Sequence, residues 1–184
     1  EITTNQENTK TFLEDEYDLL ILSYDRFTRL LAPLVEHKES HNIPTKLVSL
    51  NEVYDGTHFT TEGRDNPEKI KYFIKNAIEQ WGITHVLLVG NFRKMPIRYA
   101  HLETDAGGTY EELKFPSDLY FQDIYDNTGN FSTWDTDNDG IYGEWPDPWP
   151  MEDIIDLRPD VHVGRLACMF AFEVYFTVRK IIDY

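Results

Sequence analysis

The sequence predicts an α/β fold: a small, mostly parallel sheet of about four core strands with helices on both faces, and a long acidic insertion before the last core strand. Three observations lead there. Short apolar runs recur without polar alternation, as in strands covered on both faces. Between them lie stretches whose apolar residues fall at helical spacing. Strands alternating with helices in this way build parallel sheets through right-handed crossovers.

Residues 1–16 are rich in Thr, Asn, Gln and acids and read as a lead-in, with residues 17–184 as a single α/β subdomain. Residues 17–24 form the first predicted strand. Leu30, Leu31, Leu34 and Val35 mark a first helix, and Pro33 requires it to start near Arg29 or Leu30, because an interior proline lacks the amide a helix donates. Residues 45–50 are the second strand. The clearest helix takes Asn66 as N-cap and Pro67 at its first position, buries Ile70, Phe73, Ile74, Ala77, Ile78 and Trp81, and stops at Gly82. His85–Val89 is a third buried strand. Residues 99–158 read as an irregular acidic insertion, in which 99–103, 110–115 and 119–123 are expected to form short strands or a hairpin. Residues 161–164 restore the strand pattern, and 171–184 read as a helix with Val174, Val178, Ile181 and Ile182 inward. Phe170, Phe172, Tyr175 and Phe176 are too many further apolar groups for one face, so a second contact is expected, with another subdomain or a second copy.

Composition narrows the function. An apolar content of 41% and an aromatic content of 14% describe a folded globule. Of the net charge of −16, residues 103–160 carry most, with 16 acids against Lys114 and Arg158. Nucleic-acid binding needs clustered Lys and Arg and is excluded, whereas cations or basic partners suit such a field. No apolar run approaches the ~20 residues of a membrane span. The lone Cys168 rules out an internal disulfide framework. A chain opening at Glu1, with neither Met nor a signal-like region, is expected to be processed or trimmed.

Within the acidic insertion, Asp135-Thr136-Asp137-Asn138-Asp139-Gly140 places carboxylates at alternate positions ahead of a glycine that permits a sharp turn. A hard divalent cation, calcium above all, takes such oxygen ligands. The expected set is Asp135, Asp137, Asp139, the Ile141 carbonyl, Glu144 and Asp147. The loop departs from an EF-hand, because its twelfth position is Pro146 rather than a bidentate Glu and neither flank is helical. A structural ion is therefore expected, not a sensor. A solvated loop without metal is the competing reading.

Four segments in order carry a family resemblance. They are His85-Val86-Leu87-Leu88-Val89-Gly90-Asn91 with Met95-Pro96, then Ser117-Asp118-Leu119-Tyr120, then Pro159-Asp160-Val161-His162-Val163-Gly164-Arg165-Leu166, then Lys180-Ile181-Ile182-Asp183-Tyr184. Together they resemble the gingipain-type cysteine peptidases over roughly residues 17–184. The resemblance implies a caspase-like catalytic unit of two α/β subdomains, of which this chain is the first. The catalytic His and Cys would lie on a second subdomain beyond Tyr184, along with the site for the protein or peptide substrate. Secretion is also implied, and extracellular calcium suits a weak site. The alternative is a self-contained calcium-binding recognition module without enzymatic activity. A flavodoxin-like nucleotide domain would need a phosphate loop, and Gly90-Asn91 is followed by no further glycines.

Other candidates have simpler accounts. His162 sits in a strand six residues before Cys168, so a catalytic dyad would need a sharp reversal, and Cys168 reads as a packed cysteine. His37 and His41 have a zinc-compatible spacing, but Lys38 stands where a zinc peptidase needs Glu, and a solvated helix end is expected. The Trp145–Trp149 cluster is expected to clamp the insertion rather than to stack on sugars.

Overall fold

The computed structural model describes residues 16–105, 110–147 and 153–184. Strands β1 (Leu19–Ser23), β2 (Thr45–Ser49), β3 (His85–Val89) and β7 (His162–Leu166) form one parallel sheet in the order β2-β1-β3-β7. Their register is continuous, with Leu19 opposite both Thr45 and His85, and His85 opposite His162. Alternation of side chains across β1 decides what each face covers. Leu20 and Leu22 join a core with α2 (Leu50–Tyr54) and α3 (Asn66–Trp81). Ile21 joins a second core on the opposite face with Leu31 and Leu34 of α1 (Thr28–Ser40) and Val174 and Val178 of α4 (Ala171–Ile182). Parallel strands with helices on both faces are what the continuous apolar runs require.

Three local details correct the sequence reading. The N-cap of α3 is Asp65, not Asn66: its carboxylate accepts the Glu68 amide, and Pro67 falls at the second helical position. Asp outdoes its neighbour here because Arg98 also holds it, through two hydrogen bonds of 2.8 Å. Pro33 lies well inside α1, which starts at Thr28 after a short 3-10 turn at Asp25–Phe27; the helix continues past it at the cost of one backbone bond. The third correction is the segment expected as a strand over 119–123, where Asp118–Phe121 is a 3-10 turn that buries Tyr120 and Phe121 completely. At the end of α3, Gly82 takes φ 72° and closes the helix as expected.

A second, three-stranded sheet lies in the acidic stretch. β4 (Arg98–Asp105) pairs antiparallel with β5 (Tyr110–Ser117) and parallel with β6 (Glu144–Asp147), giving the order β5-β4-β6. A hairpin is among the expectations for 99–103 and 110–115, whereas β6 contains Pro146 and lacks any strand signal of its own. Proline is accepted there because β6 is an edge strand with a single neighbour. The predicted lead-in and Trp149 lie outside the described residues, apart from Glu16. Trp145, expected as a clamp, is 47% exposed, whereas Trp134 earlier in the insertion is buried.

The outward side of α4 presents a row of apolar side chains to solvent. Phe170, Phe172, Tyr175 and Phe176 are all about half exposed or more, and Phe170 stacks on Phe172 with ring centroids 5.6 Å apart. Among the described residues, no helix is long and apolar enough to cross a membrane.

Candidate metal centre

The acidic loop hangs from a buried hub. Trp134 is 2% exposed and donates its indole N–H to Asp123, while its carbonyl accepts the Gly143 amide at 2.7 Å. Gly143 has φ 68°, and a Cβ there would meet Ala100 and Trp134 at 3.2 Å, so a larger residue would be both strained and crowded. Between these anchors the chain turns through Asn138 at φ 66° and Gly140 at φ 89°. The side chains of Asp137 and Asp139 accept the amides two residues on, at 3.2 and 2.7 Å, which curls the loop around its own carboxylates.

This curl brings two groups of oxygens together. Asp135, Asp137 and Asp153 each place a carboxylate oxygen within 4.8 Å of the others, and so do Asp137, Asp139 and Glu144. Asp137 belongs to both. Asp135, Glu144 and Asp153 are buried, whereas Asp137 and Asp139 are open to solvent. Such a cluster is able to hold a metal ion. Four of the expected ligands, Asp135, Asp137, Asp139 and Glu144, are therefore neighbours, though not all in one group. The Asp147 side chain lies outside the described residues, and Ile141 adjoins the cluster through its amide, which donates to Asp139.

Two members were not legible in the sequence. Asp153 lies far beyond any loop motif and returns to the cluster through tertiary structure, accepting the Thr136 amide on one oxygen and the Glu144 amide on the other at 3.1 Å. The second is Arg64, just before α3. Its guanidinium bonds Asp135 and Asn138 on the loop and Glu68 on the helix, so one cation links both elements. Hydrogen bonds to Glu68 and then to Asp135 push its pKa further above its already high value, outweighing burial. Next to it, burial would raise the Asp65 carboxyl, but the hydrogen bonds from Arg98 and from the Glu68 amide pull it below its ordinary value.

The remaining candidates are placed away from this centre. His162 opens β7 and its ring packs on that of His85, at 5.0 Å between centroids, while Cys168 lies beyond the other end of the strand. A five-residue strand holds these two positions more than ~13 Å apart, which is incompatible with proton transfer between them. Cys168 is buried, and burial raises its thiol pKa, the reverse of an activated nucleophile. His41 lies with its Nδ1 2.7 Å from the His37 carbonyl at the end of α1, as a helix cap rather than a zinc ligand.

Comparison with known proteins places this architecture. The profile of peptidase family C25 matches residues 12–184. No curated protein matches the chain by sequence. Among solved structures, the complex of Porphyromonas gingivalis RgpB pro- and mature domains is similar at 16% identity with a TM-score of 0.56, over 91% of this chain and 29% of that one. Dimeric latent PorU from the same organism is similar at 17% identity with a TM-score of 0.60, over 93% of this chain and 16% of that one. The chain thus spans less than a third of either protein, and at such identities the likeness is one of fold.

Proposed function

The chain belongs to peptidase family C25, and from that premise we propose that it is the non-catalytic first α/β subdomain of a gingipain-like cysteine endopeptidase. Its role is to frame one side of a catalytic unit. The observation that carries this reading is the family match taken with α4, whose inner face closes the sheet while its outer face presents Phe172, Tyr175 and Phe176 to solvent. An apolar face of that size on a soluble subdomain calls for a covering surface. The reading assigns it to the catalytic subdomain, which would supply the attacking thiolate and the imidazole that moves its proton. The outer face should bind a hydrophobe-sensing dye, and Phe172→Ser with Phe176→Ser should remove that binding; dye-silent wild-type protein counts against the docking role.

Peptidase activity is the direct test of the catalytic part. The isolated chain should cleave no peptide, because Cys168 is buried with a raised pKa and His162 is directed to His85. Cleavage that disappears in Cys168→Ala would overturn the assignment.

The acidic cluster supports a second element of the proposal, one structural calcium, in a protein that works outside the cell where calcium is millimolar. The ion would offset the repulsion among carboxylates that Arg64 alone leaves unbalanced. Binding to the folded state stabilises it by about 2.7 kcal/mol at a hundredfold excess over Kd, a rise of roughly 5–10 °C in Tm for a chain of this size. Asp137, common to both groups, is the residue whose loss matters most: Asp137→Ala should abolish the calcium-dependent rise in a thermal melt. Identical melting in calcium and in chelator would remove the ion from the proposal.

A further inference from the structure

We infer that the cation is held not by the consecutive carboxylates of the loop but by Asp135, Asp137 and Asp153, so that it acts as a clasp between the loop and the chain returning to β7. This inference rests on the calcium reading above and specifies its ligands. Proximity alone does not select this group, since Asp137, Asp139 and Glu144 are equally close to one another.

The selecting observation is Asp135. Its side chain is 0% exposed, yet only Oδ2 is engaged, by Arg64, and Oδ1 is buried without a hydrogen-bond partner. A buried carboxylate oxygen rarely goes unpaired, because it has lost water and gained nothing in return. A cation shared with Asp137 and Asp153 supplies the missing partner. Asp153 is equally prepared: it is 2% exposed, and the Thr136 and Glu144 amides fix its orientation while each oxygen retains a lone pair. Asp137 and Asp139 are both exposed and each accepts one loop amide, so what distinguishes the two groups is that only Asp137 shares its group with the buried, half-engaged Asp135.

Charge gives the same answer. Asp135 and Asp153 are buried anions within 4.8 Å of each other and of Asp137. The Arg64 guanidinium that bonds Asp135 is divided among Asp135, Asn138 and Glu68. A divalent ion at this point neutralises the excess, and an oxygen-only donor set of irregular geometry suits calcium. The clasp then joins α3, through Arg64 and Asp135, to residue 153 and so to the approach of β7.

Calorimetric titration of the whole chain with calcium chloride, after chelator treatment and desalting, decides between the ligand sets. Asp153→Asn and Asp135→Asn should each weaken calcium binding by at least about tenfold, whereas Asp139→Asn should change it far less. Circular dichroism on each sample shows whether it is folded, and if Asp153→Asn does not fold, the contrast between Asp135→Asn and Asp139→Asn carries the decision. Loss of binding in Asp139→Asn with full binding in a folded Asp153→Asn or Asp135→Asn overturns the clasp and leaves calcium to the consecutive loop set. Wild-type protein that takes up no calcium at millimolar concentration overturns both.

Discussion

Arg165→Ala should destabilise the fold by about 3–5 kcal/mol, the cost of stranding a desolvated ion-pair partner. For a chain of this length that is a fall in Tm of roughly 6–20 °C. Arg165 sits near the end of β7 with its side chain only 12% exposed. Its guanidinium grips Asp118 with Nε and Nη2 at 2.7 Å each, and it donates to the carbonyls of Gly90, Met95 and Pro96 at 3.0–3.2 Å. One side chain therefore ties the last core strand, the turn after β3 and the 3-10 turn at Asp118. The three carbonyls and the carboxylate lose their donors together when it is removed. Arg165→Lys should recover only a small part, because an ammonium cannot present the planar fork that Asp118 and three separate carbonyls require. Chemical denaturation of the three proteins measures this. A loss under about 1 kcal/mol for Arg165→Ala would mean that solvent or neighbouring groups replace the guanidinium readily.

Lys71→Ala should be comparably damaging, by about 3–5 kcal/mol, from the cavity it leaves and the carbonyl it abandons. Lys71 projects from α3 into the core with no exposure at all, over the Tyr120 ring at 4.2 Å, and donates to the Ser132 carbonyl. Burial lowers its pKa to about 7, and burial raises that of Asp123 to about 6. The two shifts act on stability in opposite directions with pH. Between the ordinary carboxylate value and about 6, the folded chain keeps a proton on Asp123 that the unfolded chain has released, so this contribution is lost as pH rises through about 6. The depressed Lys71 contributes most above the ordinary ammonium value, and that contribution is lost as pH falls through about 7. Their joint contribution is therefore lowest near pH 6–7. Lys71→Met separates the two roles. It fills the volume and should regain most of the stability lost in Lys71→Ala, but it should lack the rise of about 2 kcal/mol expected for the wild type between pH 7 and 9. A rise of equal size in Lys71→Met would assign the pH dependence to other groups.

The elements most legible in the sequence were those whose cause is local. The β3 run and the end of α3 at Gly82 were readable because apolar continuity and a left-handed stop are properties of consecutive residues. So was the second apolar face of α4, since helical spacing alone shows more hydrophobes than one stripe accepts. The strand β6 was not, because Pro146 argues against a strand and only pairing with β4 along an edge overrides it. Likewise Asp65 displaced Asn66 as the cap of α3 through Arg98, a residue from a distant strand.

The acidic loop divides along the same line. From the sequence alone came its alternating carboxylates, the turn at Gly140 and the absence of flanking helices, all fixed by nearest neighbours. Tertiary structure decided which of those carboxylates are dry: it buried Asp135 against Arg64, left Asp139 in water, and brought in Asp153 from across the insertion. The physical reason is that ligand type and backbone turns are written residue by residue, while desolvation and the return of a distant carboxylate exist only once the chain has closed on itself.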